Sequence, residues 1–240
     1  MNTPDADAIN IRFYDHLWSR TRLETPERFN TWPLISSLVQ NGSQRLEVGP
    51  GLRPRLPVRD SHFVDKSIAA VGRLQEQGGS AQCGDVCALP FDEGSFDLVC
   101  AFDVIEHVDN SRLAFAELSR VLKKGGTLVF SVPLHKSRWC EFDAFVGHVH
   151  RFDPQEVLAF VAENRLVLEQ SAPFGMQPGN PWLLKCGMWF LRHQSRQAIF
   201  WYNRILMPLG LFFQKPLNFS DGLGDAALVD EIVCVCRRGG

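Results

Sequence analysis

Short apolar runs and amphipathic stretches alternate along the middle of the chain. "RLEV" (45–48), "HFVD" (62–65), "FDLVCAF" (96–102) and "GTLVFSV" (126–132) are apolar runs bounded by turn-forming residues. They lack a clean polar–apolar alternation, as expected of strands covered on both faces. Between them, Ile68, Val71 and Leu74 recur at helical spacing within 67–79, and Phe115, Leu118, Val121 and Leu122 form one stripe within 109–126. Asp109, Asn110 or Ser111 can cap the second of these helices. Lys123 and Lys124 complement its dipole, and Gly125 supplies a left-handed stop. Repetition of strand, helix and strand predicts a doubly wound α/β fold built on a parallel sheet.

The flanks carry their own patterns. Residues 1–8 are polar, and Ile9, Phe13, His16 and Leu17 then form an amphipathic stripe. A second helix is expected from Trp32 or Pro33 to about Gln40, with Thr31 as its cap. Residues 1–43 therefore read as an N-terminal helical extension to a domain spanning 44–240. Asp153, Pro154 and Glu156 are the cap, first residue and capping-box partner of a helix over 153–165. Strands are expected at 166–172 and 231–236. The intervening 174–228 are rich in aromatics and methionine and too long for a loop. Two helices are expected there, broken near Ser195 and again at Pro208 and Gly210, as a helical cap inserted before the final strand.

Composition narrows the function. Twenty-five basic and 27 acidic residues leave a net charge of −2, which argues against general nucleic-acid affinity. Seven cysteines occur without a CxxC pair, and Cys234 and Cys236 share one face of a strand, so reduced and mostly buried thiols in a cytoplasmic protein are expected. The N-terminus has no basic and apolar leader pattern, and no uncharged apolar run is long enough to span a membrane. Peripheral membrane contact through 182–213 is compatible with the aromatics and mixed charges there.

The chemistry begins at "RLEVGPGLRPRLP" (45–57). Gly49 and Gly51 follow a strand, where they permit a tight turn and close approach of a ligand to backbone. Asp65 ends the next strand, 18 positions after Glu47, where a carboxylate can accept both hydroxyl protons of an unphosphorylated ribose. The acidic set Glu47, Asp65 and Asp85 suits a cation and would repel a pyrophosphate. Pro54 stands where a dinucleotide loop has its third glycine, which weakens a nicotinamide dehydrogenase reading.

Four blocks resemble the class I S-adenosylmethionine-dependent methyltransferases, in particular the type 11 methyltransferase domain: "LEVGPG" (46–51), "HFVDKS" (62–67), "GDVCALPFDEGSFDLVCAFDVIEHV" (84–108) and "LAFAELSRVLKKGGTLVFSVP" (113–133). The resemblance covers roughly 44–172. It implies a Rossmann-like, doubly wound, seven-stranded sheet with an antiparallel last strand. It implies that Glu47, Gly49 and Gly51 hold the methionine half of S-adenosylmethionine, and that Asp65, with Lys66 beside it, takes the ribose. By the same resemblance Asp85 takes the adenine amino group, Val86 offers a backbone contact to the ring, and Ala101, Phe102 and Asp103 line the sulfonium end. Relatives place a glycine at position 53 and a long helix after it. Only ten residues separate Gly51 from His62, so that helix must be shortened or replaced, leaving the methionine end more open and Arg53 able to reach the cofactor carboxylate or solvent.

Methyl transfer needs alignment first, and a base only when the acceptor loses a proton. His107 and His148 are the candidate bases; the competing role of His107 is to fix a strand–helix junction, and that of His148 is to pin its loop. "GHVHRF" (147–152) has His150 where a related branch of the family often has the first arginine of a Gly-His-Val-Arg-Arg-aromatic run. Trp139, Phe142 and His150 are candidate acceptor-pocket residues. Tyr14 could close over the cofactor or simply pack, and Arg20, Arg22 and Arg28 read as solvated charges. No His, Cys, Asp or Glu set has metal-ligand spacing, HVH at 148–150 being too sparse, and GxSxG is absent. The expected function is methyl transfer to a small-molecule or lipid-like acceptor. The alternative is a non-catalytic module that binds S-adenosylmethionine or S-adenosylhomocysteine and works through a protein partner.

Overall fold

The computed structural model describes residues 21–40, 42–175, 189–190, 193–194, 197 and 200–240. The helix expected over 9–17, Tyr14, Arg20, Trp182 and the break near Ser195 lie outside the described residues. A 3-10 turn (Pro26–Arg28) and helix α1 (Trp32–Leu38) precede the sheet. Then follow β1 (Arg45–Val48), β2 (His62–Asp65), α2 (Ile68–Glu76), β3 (Ser80–Cys83), β4 (Phe96–Ala101), α3 (Ser111–Val121) and β5 (Leu122–Pro133). After these come α4 (Glu141–Val146), α5 (Pro154–Glu163), β6 (Leu166–Pro173), α6 (Met207–Phe212), β7 (Ser220–Asp221) and β8 (Glu231–Arg238).

The sheet runs β3-β2-β1-β4-β5-β8-β6-β7. β1 to β5 pair in parallel, and β8 is antiparallel to both β5 and β6. The expected doubly wound architecture and antiparallel last strand are present. The sheet has eight strands instead of seven because the two-residue β7 pairs at the edge of β6. Along β1, Leu46 and Val48 enter the core on one face with Phe115 and Leu118 of α3 and Phe160 of α5. Ile35 of α1 and Val71 and Leu74 of α2 cover the other face, against Leu98 and Val129. Burial on both faces explains the missing alternation in the central strands.

Several boundaries depart from the expected ones. α3 ends at Val121, and the strand that follows starts at once with Leu122, which pairs with Phe96; the proposed helical tail 122–126 is strand instead. Asn110 is the residue that caps α3, its side chain accepting from Leu113 N at 3.1 Å. Thr31 does not cap α1 through its side chain, and its Oγ1 is buried without a partner. β3 has only Ala81 buried and therefore no apolar run to betray it. Pro208 and Gly210 do not break the helix they sit in: α6 runs through both, preceded by five residues of π-helix (Tyr202–Leu206). A wider turn just before Pro208 can accommodate its missing N–H and its ring. Among the described cysteines, Cys100, Cys234 and Cys236 are buried and the other three are not, so thiol burial is less complete than expected.

Candidate active site

The carboxyl ends of β1, β2 and β4 open on a cleft of about 200 Å³. Its walls include Gly49, Gly51, Asp65, Val86, Phe102 and His107. This is the position at which open α/β sheets bind ligands. Gly49 and Gly51 have φ of +66° and +53°, conformations that glycine adopts without cost. A Cβ on Gly49 would also lie 2.5 Å from Cγ2 of Val104.

Asp65 sits directly beneath the glycine turn. Its Oδ2 accepts from Gly51 N and its Oδ1 from Ser67 N, both at 2.8 Å. Each carboxylate oxygen has two lone-pair directions, so one N–H on each is compatible with a diol on the other. Lys66 Nζ lies 3.1 Å from Asp85 Oδ2. Partial burial raises the Asp85 pKa, but Cys87 N–H and Lys66 outweigh it and hold the carboxyl below its ordinary value. Gly84 and Val86, on either side of Asp85, line the cleft, whereas Asp85 itself is not among its walls.

The trimmed loop after β1 contains no helix between Gly51 and His62. Leu56 takes the helix's place in the core. Glu47 points to the same face and holds the loop there: its carboxylate accepts from Arg55 N at 2.9 Å and Leu56 N at 2.8 Å. Burial pushes the Glu47 pKa up to about 7, against those two N–H groups. The Arg55 guanidinium lies 3.6 Å over the Phe29 ring and 5.5 Å from that of Phe102. Burial lowers its pKa to about 10, and its Nε and Nη1 are buried without hydrogen-bond partners. Arg53 also lines the cleft but reaches toward the insert, 3.4 Å from both the Tyr202 hydroxyl and Asn203 Oδ1. Sequence reasoning weighed Arg53 and passed over Arg55, whose importance depends on the neighbouring Phe29.

Beyond β4 the wall is acidic. Asp103 adopts φ of +55°, its N–H donates to Ser131 Oγ at 2.9 Å, and the Ser131 hydroxyl donates back to its carboxylate. Glu106 is buried and Glu231 half-buried nearby; desolvation first, then the Asp103 charge, pushes both pKa values well up. Ala101 is fully buried, and the Phe102 ring meets that of Phe174 at a tilt, 5.8 Å between centroids. His107 stands on the cleft wall and its Nδ1 lies 3.1 Å from Gly147 O, so it also fixes the junction. His148 Nδ1 lies 2.9 Å from Asp143 Oδ1. His150 Nε2 lies 3.4 Å from Ser111 Oγ, and its ring meets that of Phe152 at a tilt, 4.3 Å between centroids. Trp139, Phe142, His148 and His150 are not among the walls of this cleft, and Trp139 is 42% exposed. Arg28 pairs with Glu24 at the surface, and Arg22 is exposed.

The fold is an open, doubly wound α/β domain with a cleft at its strand ends, and residues 54–130 match the methyltransferase domain family. The malonyl-[acyl-carrier protein] O-methyltransferase of Herminiimonas arsenicoxydans is 38% identical over 103 residues, which cover 43% of this chain and 38% of that protein. The chain thus spans less than half the length of this curated relative. Two solved structures share the fold at low identity. The geranyl diphosphate C-methyltransferase of Streptomyces coelicolor A3(2), in complex with Mg2+, geranyl diphosphate and S-adenosyl-L-homocysteine, has a TM-score of 0.56 at 17% identity, covering 87% of this chain and 78% of that one. The [4+2]-cyclase SpnF has a TM-score of 0.58 at 15% identity, covering 87% and 79%.

Proposed function

We propose that the chain moves a methyl group from S-adenosylmethionine to a small-molecule or lipid-like acceptor by in-line displacement. The observation that carries this reading is Asp65, buried beneath Gly51 at the end of β2, facing the same cleft as the glycine turn. Asp65 would hold the ribose diol, with Lys66 and Asp85 closing the nucleoside end and Gly84–Val86 against the adenine. The methionine half would lie on Gly49 and Gly51, and Ala101, Phe102 and Asp103 would border the sulfonium. The two orphaned donors of Arg55 suit the methionine carboxylate, a role the sequence pointed toward Arg53. The acceptor would approach from the side of His107 and His148, which Phe142 flanks with its ring 6.4 Å from that of His148.

Calorimetry with S-adenosylmethionine and with NAD tests the cofactor. Asp65→Asn and Asp65→Ala should each weaken S-adenosylmethionine at least about tenfold, equivalent to ~1.4 kcal/mol. Unchanged affinity in both would sink the assignment. Because the fold also serves a [4+2]-cyclase, release of S-adenosylhomocysteine with a panel of acceptors is the direct test of methyl transfer.

A lipid-like acceptor is favoured by the exposed apolar side chains of the insert, among them Phe200, Trp201, Phe212 and Phe213. Co-sedimentation with phospholipid vesicles should fall in a Phe212→Ser, Phe213→Ser double variant; no sedimentation of the parent chain would remove the lipid reading. No helix among the described residues is long and apolar enough to cross a membrane. Free thiols at all six described cysteines suit the reducing cytoplasm. Alkylation of protein taken from its native source should find every thiol reactive once denatured, and a disulfide would count against that compartment.

A further inference from the structure

Glu106, His107 and His148 each present a ligating atom within 4.8 Å of the other two. His107 belongs to the 3-10 turn after β4, and His148 to the segment after α4. Val149 N–H donates to Glu106 O at 2.8 Å and fixes one segment on the other. The two imidazole rings meet edge to face at 4.7 Å, and His148 Nε2 lies 3.9 Å from Glu106 Oε1. We propose that these three residues bind a divalent first-row transition ion at the edge of the cleft, leaving coordination positions open toward it.

The arrangement around the rings argues for a ligand and not for packing alone. A carbonyl oxygen can only accept, so His107 donates through Nδ1 to Gly147 O, and its Nε2 then carries the ring's lone pair. His148 likewise turns Nδ1 to the Asp143 carboxylate, which makes Nε2 the ligating atom of the neutral ring. Asp143 is in turn held by Arg151 Nε at 3.0 Å and Cys140 N at 2.8 Å. Imidazoles oriented by a carbonyl and by an anchored carboxylate are the usual outer surroundings of metal-bound histidine. The third ligand is the decisive one. Glu106 is 1% exposed, and its Oε2 is buried with no hydrogen-bond partner. An unpartnered buried carboxylate oxygen is costly unless something cationic or protic meets it.

Two imidazoles and one carboxylate suit Zn2+, Fe2+, Co2+ or Mn2+ better than Mg2+ or Ca2+, which take oxygen ligands. Ligands bound at about 2.1 Å stand roughly 3.3 Å apart, so closing on an ion needs inward movements of about 1 Å. Three protein ligands leave room for an oxygen of a substrate. His107 lines the cleft, so that oxygen would belong to the acceptor; this last role rests on the methyl-transfer reading, whereas the ion site does not. The spacing of residues in the sequence gave no warning, because the ligands come from two segments brought together only by the 147–151 crossing.

Co2+ titration of the purified full chain, followed by its visible d–d absorption, reads the site directly. The parent chain should show intense bands near one equivalent. Zn2+ should displace Co2+, and Mg2+ should not. Glu106→Gln preserves shape and should weaken Co2+ binding at least about tenfold, as loss of one ligand does, and His148→Ala should abolish the bands. His150→Ala, two residues away and outside the cluster, should leave them intact, and thermal midpoints without metal show whether each variant is folded. Absence of bands in the parent chain, or bands equally strong in folded Glu106→Gln and His148→Ala, overturns the proposal. Calorimetry with S-adenosylhomocysteine on the same samples separates the two readings. Cofactor binding without Co2+ bands defeats the ion site alone, and Co2+ bands without cofactor binding defeat the methyl-transfer reading alone.

Discussion

Glu47 shows how one residue replaces an element. The period of two along β1 puts Leu46 and Val48 into one layer and Glu47 into the other, where no helix follows to cover it. Its carboxylate instead receives two backbone N–H groups of the loop and faces the buried Arg55 charge. Glu47→Ala would orphan those donors and strip Arg55 of a counter-charge. It should cost about 3 kcal/mol in urea unfolding, and a loss below about 1 kcal/mol would show that the loop is held by Leu56 alone. His107 makes a prediction of opposite character. Burial, then His148, lowers its pKa to about 3 from an ordinary 6.5. The unfolded chain therefore binds more protons than the fold between these values, and stability must rise with pH across that window. His107→Asn should flatten the slope by up to about 1 kcal/mol per pH unit between pH 4 and 6. An unchanged slope would mean that the ring is solvated. The sequence pattern placed Glu47 and Asp65 near the ends of the first two strands and His107 after the fourth. It could not say what each bonds to, because the partners lie on other segments.

At the scale of elements, α3 and β5 compete for the same residues. Leu122 fits the α3 stripe, and Lys123 and Lys124 suit a helix end, yet the chain is already extended there. The sheet offers Leu122 a fully buried place beside Phe96, and Lys123 pairs with Asp97 at 2.8 Å. Burial on a paired strand outweighs the few tenths of a kcal/mol that helix propensity offers one residue. The other end of α3 is set by a single side chain. Asn110→Ala should lower stability by about 1 kcal/mol, whereas Asp109→Ala, at an exposed neighbour, should stay within about 0.5 kcal/mol. Equal effects in thermal unfolding would reject Asn110 as the cap. Strands with apolar runs were legible, but β3 and β7 were not. Each lies at an edge of the sheet and has little to bury.

At the scale of the whole molecule, the trimmed loop and the insert are one system. Phe29 packs with Met207 and Leu211 of α6, and Asn30 bonds to Gln214 and Lys215. Arg53 reaches Tyr202 and Asn203, and Arg55 lies over Phe29. The N-terminal segment, the loop after β1 and the insert thus meet at the end of the cleft expected to be more open. Arg53→Ala should quicken amide hydrogen exchange over 202–212 several-fold while the sheet strands keep their protection. Unaltered exchange there would mean that Arg53 does not tether the insert.

The sequence by itself determined the alternation of strands and helices, the doubly wound class, and the places where glycine and carboxylate end the first two strands. These follow from periodicities of two and 3.6 and from backbone conformations that few residues tolerate, all of them local properties. Tertiary structure decided that Arg53 reaches the insert while Arg55 lies over Phe29, that the loop is held by Leu56 and a buried carboxylate, and that two histidines and Glu106 converge. Those outcomes depend on desolvation and on contacts between segments far apart in the chain, which local pattern does not encode.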